Sequence, residues 1–235
     1  MSSKYVPLLA LLAIAGPAHA INVNMTGFEF GGADSVAMTG TDGSPSYEGA
    51  AGPFVGGVSG PVEAPRAALS ARTAISAALS PQSITAWCAE LTQSFSFGVN
   101  YEYAEQLGNS YFGDKKAADL SRLFTAAQGF VVDSGTSAAM QAGIWEIIYE
   151  HGAVYGLDSG NFRGAPELQS DLAAFSTING FLANLSRYDA SYHIEVLVNG
   201  EHQDFLVATI PEPETWGLFA AGLAAMSLWR RRRKA

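Results

Sequence analysis

The chain has 235 residues, 48% hydrophobic and 15% charged, with a formal net charge of −9 and one cysteine. That length and apolar content exclude a disordered chain and a disulfide-stapled mini-protein, and they leave room for a domain with its own core. The acidic balance repels phosphate backbones and so excludes a nucleic-acid binder.

The N-terminus reads as an export signal. Lys4 supplies the positive start, residues 6–15 an apolar run, and Ala18-His19-Ala20 a small-residue cleavage site, which predicts a signal peptide over 1–20 and a mature chain beginning at Ile21. All 22 acidic residues lie in 21–214, against 7 of the 13 basic ones, so the exported part carries a formal charge of −15. Its single thiol, Cys88, forms no intramolecular disulfide. A lone cysteine in an oxidising compartment calls for burial, intermolecular pairing or special chemistry.

From Ile21 to Val62 the alternation in Asn22-Val23-Asn24-Met25 and Phe28-Glu29-Phe30 predicts short strands, with Gly31-Gly32, Asp42-Gly43 and Gly56-Gly57 as turns. Residues 61–82 read as a loop or loose helix. A strand is expected over 84–97 around Trp87-Cys88-Ala89-Glu90-Leu91, with Phe95 and Phe97 on one face, then an aromatic loop holding Tyr101, Tyr103 and Tyr111.

Asp114 is placed to cap a helix reaching Gln128, with Leu120, Leu123, Phe124 and Ala127 as its apolar stripe and Gly129 as its C-cap. The clearest helix follows the caps at 134–137 and ends before Gly152. Gln141, Ile144, Trp145 and Ile148 fall on one face of it, which puts a glutamine amide on the buried stripe. A further helix is expected from Pro166 with Leu168, Leu172 and Phe175 inward, and a hairpin joins 192–198 to 205–208 through Asn199-Gly200. The fold class is α+β, with sandwich-like or barrel-like strands around a helical middle, in one exported domain at 21–210.

The last segment, 211–235, combines a stiff Pro211-Glu212-Pro213 elbow, an uncharged run over 216–229, and four arginines and a lysine at 230–234. As a helix that run spans roughly 21 Å, short for the ~30 Å hydrocarbon core. Trp216 and Trp229 suit the two interfaces, and the basic end stays cytoplasmic under the positive-inside rule. The order of these three parts resembles the PEP-CTERM sorting signal of exopolysaccharide-producing Gram-negative bacteria. The resemblance implies a temporary transmembrane helix, processing at Pro211-Glu212-Pro213 by an exosortase-type membrane transpeptidase, and delivery to the cell envelope, surface or extracellular matrix.

A buried glutamine needs a partner, either a backbone group or Cys88. The run Trp87-Cys88-Ala89-Glu90-Leu91, followed by Met140-Gln141-Ala142-Gly143-Ile144-Trp145-Glu146, is similar to the bacterial thioester domain of surface adhesins. That resemblance implies that the Cys88 sulfur attacks the Gln141 amide and leaves an internal thioester, an acyl donor for amines of a target. The alternative is a non-covalent structural or exopolysaccharide-associated matrix protein in which Cys88 packs as a small hydrophobe.

Other chemistry is sparse. His151, His193 and His202 lack metal-ligand spacing, and Asp133-Ser134-Gly135 and Asp158-Ser159-Gly160 read as turns rather than calcium loops. No G-x-S-x-G elbow, H-E-x-x-H, Walker loop or G-x-G-x-x-G is present. The expectation is therefore a protein that is not an enzyme, with no metal and no cofactor.

Overall fold

In the first strand, β1 (Ala20–Phe28), Val23 and Met25 are buried while Asn22 is exposed, the period-2 signature of a strand with one wet face. The computed structural model describes residues 20–59, 82–165 and 171–210. β1 is followed by β2 (Asp34–Gly40), β3 (Tyr47–Ala51), β4 (Phe54–Ser59), β5 (Gln82–Cys88) and β6 (Asn100–Leu107). Then come the helices α1 (Gly108–Phe112), α2 (Asp114–Ala126) and α3 (Ser134–Tyr149), strand β7 (Phe162–Gly164), α4 (Leu172–Leu182), a 3-10 turn at Leu185–Arg187, and the strands β8 (His193–Val198) and β9 (Phe205–Thr209).

Six of the strands close a barrel in the order β1-β4-β5-β9-β8-β6, with every neighbouring pair antiparallel. Closure removes the edges on which other chains could template. Val23, Met25, Phe54, Ala86, Tyr103, Leu197 and Phe205 form a core of their own. Trp87, Ile194, Val196 and Leu206, from the same strands, join a second core with the helices. A three-stranded sheet, β3-β2-β7, packs on α3. The mixed strand-and-helix class expected from the sequence therefore takes the form of a barrel plus a small sheet, with the helices between.

α3 is the axis of the second core. Asp133 caps it by accepting the Thr136 N–H, and the Thr136 hydroxyl accepts the Asp133 N–H in return. Residues 137–147 are buried without a break. A helix buried all round replaces the single apolar stripe expected, because the sheet covers one side while α2 and α4 cover others.

Several local expectations are corrected. Gly56-Gly57 is not a turn but part of β4, where a Cβ on Gly56 would lie 2.4 Å from the Asn24 carbonyl oxygen. The bulge between Met25 and Gly27 brings these backbones together. The strand expected over 84–97 stops at Cys88. The Glu90 carboxylate accepts from the N–H groups of Thr92 and Gln93 and bends the chain there. Phe95 then turns back to plug the barrel end, edge-on to Phe54 and Phe205 at ring distances of 5.0 Å each.

Tyr101 and Tyr103 lie in β6 and Tyr111 in α1, not in a loop. α2 ends at Ala126, with Gly129 in the turn beyond. Within the described residues α4 starts at Leu172, where Asp171 accepts the Ala174 N–H; Leu172 is 60% exposed and only Phe175 of the expected pair turns inward. Residues 1–19 of the signal peptide expected over 1–20, residues 61–81, Pro166, Leu168, Pro211-Glu212-Pro213 and the helix expected over 216–229 lie outside the described residues.

Candidate functional site at the exit of strand β5

β5 pairs with β4 from Gln82 to Ala86 and with β9 only at Trp87 and Cys88. Past Ala86, β4 no longer covers the β5 backbone, and the next groups on that side belong to Cys88. A residue's N–H and C=O point to the same side of a strand, so both Cys88 groups face a gap. Gln141 of α3 fills it. Its Oε1 accepts the Cys88 N–H at 2.9 Å, and its Nε2 donates to the Cys88 carbonyl at 3.0 Å. Gln141 is fully buried and Cys88 half-buried.

The two residues singled out from the sequence thus meet, through the backbone of one and the side chain of the other. The arrangement accounts for a buried glutamine, since both its polar atoms are satisfied. It also holds the amide carbon of Gln141 against the residue that carries the chain's only thiol.

The surroundings are aromatic and acidic. Trp145, one turn after Gln141, meets the Tyr47 ring at 4.8 Å, and Trp87 lies edge-on to Phe124 at 5.9 Å. The Tyr149 hydroxyl accepts the Leu91 N–H at 2.9 Å, and the Tyr111 hydroxyl donates to Asp204 at 2.6 Å. Gln203 donates to the Glu90 carbonyl, and the Ala89 N–H bonds to the Asp204 carbonyl at 2.9 Å. Burial, and then the Glu90 charge, push the Cys88 thiol well above its ordinary range, so sulfur rests as S–H. Burial pushes Tyr47 up to about 12.

Glu90 stands in the run quoted from the sequence, but Tyr47, Tyr149, Tyr111 and Asp204 were not expected here. Tyr149 had a readable signal, since it continues the Gln141–Trp145 stripe at i+8. Tyr47 had none, because the small sheet brings it in from a distant part of the chain.

The histidines do not converge on this place. His151 and His193 are exposed, and His202 packs on the Tyr101 ring at 4.1 Å. Asp133 serves as the cap of α3, and Asp158-Ser159-Gly160 is a turn in which the Ser159 N–H bonds to the Gly156 carbonyl at 3.1 Å. Among the described residues no group of three or more His, Cys, Asp or Glu is placed to hold a metal ion.

Residues 209–233 match the PEP-CTERM protein-sorting motif. No curated protein and no solved structure matches the chain. The motif supports export by an exosortase-type system, with processing by the exosortase and delivery toward the cell envelope or surface.

Proposed function

We propose that this exported protein attaches covalently to amines through an internal thioester between Cys88 and Gln141. The observation that carries the reading is the two-point pairing of the Gln141 amide with the Cys88 backbone, at 2.9 and 3.0 Å. It fixes the electrophilic carbon beside the nucleophile's own residue, which removes most of the entropy of bringing them together.

The chemistry balances within the chain. Sulfur bonds to the Gln141 amide carbon, the carbon–nitrogen bond breaks, and the thiol proton leaves on nitrogen as ammonia. The Cys88 N–H already points at Oε1 and supports the negative charge that gathers there in the tetrahedral state. A target amine then attacks the same carbon, sulfur departs, and the proton lost by the amine returns to sulfur. The packing of Trp145 against Tyr47 and of Trp87 against Phe124 limits the approach of water. Each domain reacts once, so the protein is a covalent tether and not an enzyme.

On this reading the exported domain ends in the cell envelope, surface or matrix of a Gram-negative bacterium, after a stage in which the basic tail is cytoplasmic and its short helix is held in the inner membrane. Its partners are the exosortase and then surface amines or exopolysaccharide. Methylamine followed by peptide mapping tests the covalent step. Label is expected on Gln141 alone and is expected to vanish in Cys88→Ala, which keeps the backbone pairing and the fold. Label retained by Cys88→Ala contradicts the proposal.

A second reading, a non-covalent structural or exopolysaccharide-associated matrix protein, is favoured by one observation. Both polar atoms of Gln141 are already satisfied by the Cys88 backbone, so the pairing is sufficient as architecture alone. On that reading methylamine adds nothing and Cys88 alkylates freely once the chain is unfolded.

A further inference from the structure

We propose that Tyr149 is a positioning residue of this site: its phenol clamps the exit of β5 to α3 and so keeps Cys88 in register with the Gln141 amide. The inference rests on the thioester reading and adds to it a residue that neither motif contains.

Gln141, Trp145 and Tyr149 stand at i, i+4 and i+8 of α3. The first and last of them are separated by ~12 Å of helix rise. On the facing segment, Cys88 and Leu91 lie three residues apart, and each bonds to a side chain of α3. α3 and the β5 exit therefore run side by side, joined at one end by the Gln141–Cys88 pair and at the other by the Leu91 N–H on the Tyr149 oxygen at 2.9 Å. Trp145 fills the space between, against Tyr47.

The clamp has a rigid base. The Tyr149 ring packs on Phe162 at 5.2 Å, the Tyr149 carbonyl accepts the Ser44 hydroxyl at 2.9 Å, and Lys116 donates to the Ile148 and Glu150 carbonyls at the same helix end. The other nearby groups are already engaged. The Glu90 carboxylate accepts from Thr92 and Gln93, and the Tyr47 hydroxyl donates to the Ala50 carbonyl at 2.6 Å. Burial keeps Tyr149 a neutral phenol. The Ala89 N–H on Asp204 and the Glu90 carbonyl on Gln203 tie the turn to the β9 side, so loss of the Tyr149 bond removes its tie to α3 beyond Cys88. Ring closure between two side chains is sensitive to shifts of fractions of an ångström.

The test uses ammonia to return the purified protein to its Cys88 thiol and Gln141 amide, removes the ammonia, and follows re-closure by intact mass. Tyr149→Phe keeps the ring and deletes the hydroxyl. Glu150→Gln serves as the control, since it loosens the loop at the same helix end without touching Leu91. Each protein is compared at the same interval below its own Tm. Tyr149→Phe is expected to close of the order of tenfold to a hundredfold more slowly, with Glu150→Gln closing as the wild type does. Closure of Tyr149→Phe at the wild-type rate overturns the inference and leaves the thioester standing. Equal slowing in both variants also overturns it, since the effect is then one of stability alone. A wild type that never loses ammonia overturns the thioester reading and this inference with it.

Discussion

Glu146 and Glu150 stand one turn apart near the end of α3, yet the fold treats their charges in opposite ways. Burial, and then the Glu150 and Asp158 charges, push Glu146 up to about 8 against the Gly156 N–H, which acts the other way. Its Oε1 accepts that N–H at 2.8 Å, while Oε2 is buried with no hydrogen-bond partner among the described residues. Burial also acts upward on Glu150, but the N–H groups of Gly152, Phe162, Asn161 and His151 outweigh it and hold Glu150 below the usual carboxylate range.

The signs follow from linkage. Between the ordinary value of 4.5 and about 8 the folded chain keeps a proton on Glu146 that the unfolded chain has released, so stability falls as pH rises through that window. Glu150 contributes stability above its unfolded value of 4.5, lost as pH falls through its lower folded value. For these two groups the optimum therefore lies near the ordinary carboxylate range. Glu146→Gln is expected to flatten the loss of Tm between about pH 5 and 8 and to be about 1–3 kcal/mol more stable than the wild type at the upper end. Parallel profiles for the two proteins contradict this.

At this scale Cys88 and Gln141 were legible, because a lone cysteine and a glutamine on an apolar helical stripe are both anomalies. Tyr47 and Asp204 were not, because a tyrosine in a short strand and an aspartate before another carry no anomaly in the sequence.

At the scale of elements, the body of α3 was readable from its apolar content, but residues 134–137, expected as caps, form its first turn, and Asp133, read as a turn residue, is the cap. What the sequence hid was how closely α4 would approach. Gly143 marks the place: a Cβ there would lie 2.6 Å from Cγ2 of Ile178 and 3.3 Å from Cδ2 of Leu123. Ile178 is β-branched and cannot rotate away at little cost within a helix. Gly143→Ala would gain up to ~1 kcal/mol in helix propensity, yet it is expected to destabilise by about 1–3 kcal/mol net through overpacking. A lower urea midpoint checks this, and an unchanged or raised midpoint contradicts it. Glycine at 143 reports the close α3–α4 packing of this chain. β5 was predicted too long for a related reason. Trp87-Cys88-Ala89-Glu90-Leu91 alternates like a strand, and only the Glu90 carboxylate turning onto Thr92 and Gln93 ends it.

At the scale of the whole molecule, barrel closure was not legible, since β1 pairs with β6 and β5 with β9 across long stretches of chain. Closure sets the two functional ends apart. Cys88 lies at the last residue of β5, opposite Phe205 at the first residue of β9, while Thr209 ends β9 at the other pole. Four strand residues separate these levels, about 13 Å along the strand. β9 therefore ends at the pole away from Cys88, at the first residue of the matched sorting motif. Substituting Pro211-Glu212-Pro213 is expected to leave full-length precursor in the membrane fraction, read by immunoblot after fractionation. Normal release of a shortened product contradicts the sorting account.

The covalent claim is tested most directly by the intact mass of the purified 21–214 fragment, before and after methylamine. The account predicts a mass one ammonia below the sequence, rising by one methylamine on treatment, with no free thiol until the bond is opened. A mass equal to the sequence, unchanged by methylamine and with Cys88 freely alkylated after unfolding, contradicts it and leaves the Gln141–Cys88 pairing as architecture.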